Sequence, residues 1–119
     1  MEIEGFIMTE KTSYTSYDKL VRDKIPEIIR SSNRVPECEI LDEDEEYPQY
    51  LIRKLYEEVL EFMEEPCVEE LADIREVVDA LSRVTGFERV EQIQEKKREE
   101  RGGFEKRILL TGVYEDEGE

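Results

Sequence analysis

Apolar residues recur at helical spacing along much of the chain, and two stretches carry the clearest pattern. Across residues 48–63, Leu51, Ile52, Leu55, Tyr56, Val59, Phe62 and Met63 fall on one broad arc at about 3.6 residues per turn. That pattern predicts an amphipathic helix, with Pro48 in its first turn and Asp42 or Asp44 as its cap. Beyond a break at Pro66, Leu71, Ile74, Val77, Val78, Ala80, Leu81 and Val84 trace a second arc, which Gly86 closes as a C′ residue. A shorter helix starts near Pro26, turns Ile25, Ile28 and Ile29 inward and stops near residues 31–33. A last helix spans residues 90–101, where apolar content is thin. Residues 39–41 and 106–110 are β-compatible and read as a short two-stranded element that leans on the helices. Phe104 reads as a core anchor in preference to a base-stacking residue. The expected architecture is mainly α, with about four helices. Residues 1–16 read as a flexible polar tail, 17–112 as one helical domain and 113–119 as an acidic tail.

The acids complicate the two strongest helices. Glu58 and Glu61 lie together on one flank of the first arc, while Glu57 and Glu64 point away toward water. Glu70 sits near the middle of the second arc and Asp73 at its edge. Each helix therefore aims an acidic pair at its own packing seam. Carboxylates taken out of water must protonate, find cations or coordinate metal. Glu58 and Glu61 also fit an ordinary solvated flank, with Lys54 pairing Glu58 one turn away. Glu70 weighs the set toward metal, because a charge inside an apolar arc is seldom buried alone.

The donor set narrows the metal. The chain has no histidine, and Cys38 and Cys67 are far apart in sequence. All-oxygen coordination suits Mg²⁺ or Mn²⁺ rather than zinc. The acidic run at residues 42–46 lacks the glycine and spacing of an EF-hand and reads as structural. Without histidine, Ser–His–Asp and Cys–His nucleophilic chemistry are excluded.

The net charge of −16 argues against polymeric nucleic acid as a partner, since that needs a basic footprint. It leaves nucleotides open, because a divalent cation can bridge acidic protein and phosphate. No apolar run is long enough to span a membrane, and residues 1–13 lack the pattern of a signal peptide. Two unpatterned cysteines fit a reducing cytoplasm. Lys19, Arg22 and Lys24 form the densest basic cluster of the first half. Lys96, Lys97 and Arg101 lie on related turns of the last helix, where they could reach an anionic ligand.

The run Glu57-Glu58-Val59-Leu60-Glu61 followed by Glu70-Leu71-Ala72-Asp73 resembles the EExxE…ExxD signature of the MazG-like, all-α nucleoside triphosphate pyrophosphohydrolases. YDKLVRDKIP at residues 17–26 and KREERGGF at 97–104 resemble the branch described as phosphoribosyl-ATP pyrophosphohydrolase-like. Together the motifs cover about residues 17–110. Only eight residues separate Glu61 from Glu70, a tighter connection than most MazG proteins have. The resemblance implies a MazG-like helical bundle whose core is completed by dimerisation, as a homodimer or a dimer of dimers. It implies Mg²⁺-dependent cleavage of the α–β phosphoanhydride of a nucleoside triphosphate or a phosphoribosyl-ATP-like substrate. Glu58, Glu61, Glu70 and Asp73 would hold the metal, and Glu57 or Glu58 would take the proton of the attacking water. Lys19, Arg22, Lys24, Lys54, Lys97 and Arg101 are the candidate phosphate contacts. The rival expectations are a sensor that binds Mg²⁺–nucleotide without cleaving it, and a helical dimerisation or regulatory module.

Overall fold

The computed structural model describes residues 13–116 and 118 in full, together with the backbone of residues 2–3 and 6–7. The described residues are mainly helical and contain four helices: α1 (Ile25–Ser31), α2 (Glu46–Glu64), α3 (Val68–Leu81) and α4 (Val90–Arg101). Two short strands, β1 (Glu2–Ile3) and β2 (Phe6–Ile7), pair antiparallel with Glu2 opposite Ile7. They fall inside the stretch expected as a flexible tail. The remainder of residues 1–12 lies outside the described residues. The chain divides into two compact units, residues 1–81 and 82–119.

The first unit is built on a helical hairpin. The link between α2 and α3 is three residues, Glu65, Pro66 and Cys67, so the helices pack side by side. Neither Asp42 nor Asp44 caps α2, whose N-cap is Glu45 without a side-chain cap bond. Asp42 instead holds the turn before it, its Oδ1 accepting the N–H groups of Asp44 and Glu45, both at 2.9 Å, while its own N–H donates to Glu46 Oε1. Pro48 then falls in the first turn, where its missing N–H costs nothing. In α1 the proline is likewise in the first turn, and Ser31 and Ser32 donate their hydroxyls back to the carbonyls of Ile28 and Ile29 at the helix end.

The seam is narrower than the apolar arcs. Leu51 and Val77 are the buried apolar side chains among the described residues, with Leu55, Val59, Phe62, Ile74, Ala80 and Leu81 half-buried around them. Ile52, Tyr56 and Met63, expected inside, are exposed, Tyr56 at 66%. So are Leu71 and Val78 on α3 and Ile28 on α1. The reason is rotational. An arc of about half the helix circumference exceeds what one neighbouring helix covers, and α2 turns its Leu51–Glu58 edge to α3.

Three further expectations are corrected. Residues 39–41 and 106–110 form no strands. Residues 104–107 make a turn, with the Arg107 N–H on the Phe104 carbonyl at 3.1 Å and Arg107 at φ 56°, which interrupts any extended run. Phe104 is 94% exposed and anchors no core. In addition α3 stops at Leu81, so Gly86 is not its C′ residue. Gly86, at φ 102°, instead serves the turn before α4, its N–H donating to Glu88 Oε1 at 2.9 Å.

In the second unit α4 runs over the expected span, and every one of its residues is exposed. Gly102 ends it at φ 84°, with its N–H on the Arg98 carbonyl at 2.8 Å. Among the described residues no helix is long and apolar enough to cross a membrane.

Candidate metal centre

The carboxylates gather where α2 and α3 face each other. Glu58 lies beside Leu51 on the seam edge of α2 and is 6% exposed, the buried charged residue of the described chain. Across the seam, Glu70 lies seven residues before Val77 and therefore close to the same line of α3, with Asp73 three residues further on. One oxygen from each of Glu58, Glu70 and Asp73 falls within 4.8 Å of the others. A second trio, Glu57, Glu58 and Glu61, satisfies the same limit, so Glu58 belongs to both. The four expected ligands are thus brought together around Glu58, with Glu61 joined through the second group.

Glu57 departs from expectation. It is half-buried and directed to the cluster rather than to water, because Lys54 draws it in. Lys54 Nζ lies 2.7 Å from Glu57 Oε2 and 3.2 Å from Glu58 Oε2. Burial pulls the Lys54 pKa down, but the bonds to Glu57 and Glu58 outweigh it and hold the ammonium above its ordinary value.

Glu70 is the member left over. Its Oε2 is shielded from water and has no hydrogen-bond partner. Its pKa is pushed up, first by desolvation and then by the charges of Glu61, Asp73, Glu58 and Glu65. A shielded acceptor among like charges is the environment that a bound cation relieves. The donors are all oxygens, which suits a hard divalent ion. The residues therefore fit Mg²⁺ or Mn²⁺.

A strap of irregular chain, residues 17–24, brings a second cation. Asp18 anchors it on α2, accepting the Tyr50 hydroxyl at 2.7 Å and facing Arg53 at 3.6 Å. Arg53 in turn stacks over the Tyr50 ring at 4.7 Å. Four residues on, Arg22 Nη2 donates to Asp73 Oδ1 at 2.6 Å. Of the three basic residues expected to contact phosphate here, Arg22 reaches the acids. Lys19 lies over the Tyr17 ring, and Lys24 is the N-cap residue of α1. Asp18 and Tyr50 were not singled out by sequence, and nothing in their spacing marks them. Lys97 and Arg101 stand exposed on α4, in the second unit.

No family model, curated protein or solved structure matches this chain. The motif resemblance rests on the residues that carry it.

Proposed function

We propose that the protein is a Mg²⁺-dependent nucleotide pyrophosphohydrolase, which cleaves the α–β anhydride of a nucleoside triphosphate or phosphoribosyl-ATP-like substrate. The observation that carries the reading is the Glu58–Glu70–Asp73 trio, three carboxylates from two helices with one shielded, unpartnered oxygen. Bound there, Mg²⁺ or Mn²⁺ would supply phosphate charge neutralisation and a water of lowered pKa. The chain supplies the rest. Glu58, Glu61, Glu70 and Asp73 would hold the ion. Glu57 or Glu58 accepts the proton as the water oxygen bonds to the α-phosphorus. The α–β bridging oxygen departs with pyrophosphate, whose charge falls to Arg22 and Lys54, the cations that lie against the cluster.

A second copy of the chain is part of the proposal. Ile52, Tyr56, Leu60 and Met63 fall on one side of α2 and are all exposed. Such a stripe on a helix whose other edge already packs on α3 suits isologous pairing with itself. We take the protein to be cytoplasmic.

The test is pyrophosphate release from a panel of nucleotides, including dUTP, dCTP, 8-oxo-dGTP and phosphoribosyl-ATP, with Mg²⁺, Mn²⁺ or EDTA. Metal-dependent monophosphate and pyrophosphate from any member is the expected result. Silence across the panel with Mg²⁺ still bound by calorimetry would move the assignment to a nucleotide sensor. Silence with no metal bound would remove the centre.

A further inference from the structure

We infer that Arg22 is the exchangeable cation of this centre: it holds Asp73 while no metal is bound and passes to the substrate's phosphate chain once metal arrives. The inference rests on reading the acidic cluster as a metal centre. Its first support is the shared partner. Arg22 Nη2 is 2.6 Å from Asp73 Oδ1, and Asp73 is a member of the Glu58–Glu70–Asp73 trio. A guanidinium stays charged at any working pH, so it competes with a dication for the carboxylate's lone pairs.

Its second support is the contrast with Lys54. Lys54 is mostly shielded, with its side chain 17% exposed, and it grows from the same helix as Glu57 and Glu58. Moving it away would strip two carboxylates of their counter-charge inside the seam. Arg22 is open, with side-chain exposures of 54% for Arg22 and 37% for Asp73. Exposed pairs of this kind hold weakly and exchange readily. Arg22 also comes from the strap, not from a helix of the seam, and Asp18 gives the strap a second point of contact with α2 through Tyr50 and Arg53. Lys54 is the resident counter-charge and Arg22 the mobile one.

The destination follows from shape. A guanidinium fork matches two phosphate oxygens, and on release from Asp73 it stands within its own side-chain length of whatever that carboxylate's ion draws in. One arginine would thus report metal loading to the substrate: free Asp73 holds it back, and occupied Asp73 sends it forward.

The experiment compares parent, Arg22→Met and Arg22→Lys for two affinities, with folding followed by circular dichroism. The probes are Mn²⁺ alone and a non-hydrolysable α,β-methylene nucleoside triphosphate in saturating Mn²⁺. Arg22→Met is expected to bind Mn²⁺ alone about two- to fivefold tighter, because the competitor is gone. The same variant is expected to bind the analogue about tenfold or more weakly. Arg22→Lys keeps the charge without the fork, so its Mn²⁺ affinity should match the parent's while analogue binding weakens. Arg22→Met that binds Mn²⁺ no tighter, or Arg22→Lys that binds the analogue as well as the parent does, overturns the inference alone. A parent that binds no Mn²⁺ overturns the metal centre with it.

Discussion

Glu70 is an acid placed where its charge is least welcome, with one oxygen shielded and unpartnered and four carboxylates raising its pKa. Removing that charge should help the empty protein and harm the loaded one. Glu70→Gln is expected to melt at a higher temperature than the parent in EDTA and to lose the stabilisation that Mg²⁺ gives the parent. Its metal-dependent turnover should fall at least about a hundredfold, since a proposed ligand of the ion is gone. Lower stability in EDTA would mean that the carboxylate has a structural partner. A second residue-scale prediction concerns the end of α4. Glu105 is held below the usual carboxylate range, first by its own backbone N–H and then by Arg98, whose Nη2 is 3.0 Å from Glu105 Oε2. The sign is that of a lowered acid: the bridge stabilises at neutral pH, and its contribution is lost as pH falls below the ordinary glutamate range. A Cβ on Gly103 would meet Glu105 Oε1 at 2.6 Å. Gly103→Ala should push that flexible side chain off Arg98 and return its titration upward in carbon-detected NMR, with little change in melting temperature.

At the scale of elements, the unit's fold depends on a thin seam. Leu51→Ala removes the centre of it and is expected to cost about 2–5 kcal/mol, unfolding the α2–α3 hairpin and abolishing metal binding together. Denaturant unfolding measures it, and a loss under about 1 kcal/mol would mean that the seam relaxes around the gap. The existence of α2 and α3 was legible because their apolar spacing is strong, though α3 ends at Leu81, short of the Gly86 expected to close it, and the acids of the cluster were legible because Glu70 interrupts an arc. The rotation of α2 was not. Its arc runs from Leu51 round to Tyr56, and periodicity alone does not say which edge a partner helix covers. The structure chose the acidic edge, which buries Glu58, turns Glu57 inward and leaves Tyr56 in water. The strands failed for a local reason: a left-handed Arg107 is invisible in a run of β-formers. The Arg22–Asp73 bond joins residues 51 apart and had no periodic signature.

For the whole molecule, the stripe Ile52–Tyr56–Leu60–Met63 and the net charge of −16 pull in opposite directions. Apolar area favours association, and like charge opposes it until salt screens the repulsion. A homodimer that tightens with ionic strength is therefore expected in sedimentation velocity. Tyr56→Glu should shift it to monomer while the helical circular dichroism is kept. A parent that sediments as a monomer at all salt concentrations would remove self-pairing from the proposal.

The strap has a consequence for how the protein comes together in time. The hairpin closes over a three-residue link, whereas the strap must bring Arg22 to Asp73 across 51 positions. Closing the longer loop is entropically dearer, and exposed ion pairs return little for it. The hairpin should thus form first and the strap dock last, and in the folded protein the strap should open while the hairpin stays shut. Hydrogen exchange would show this as rapid labelling of residues 17–24 over slowly exchanging α2 and α3, with Mg²⁺ together with substrate slowing the strap and Mg²⁺ alone not slowing it.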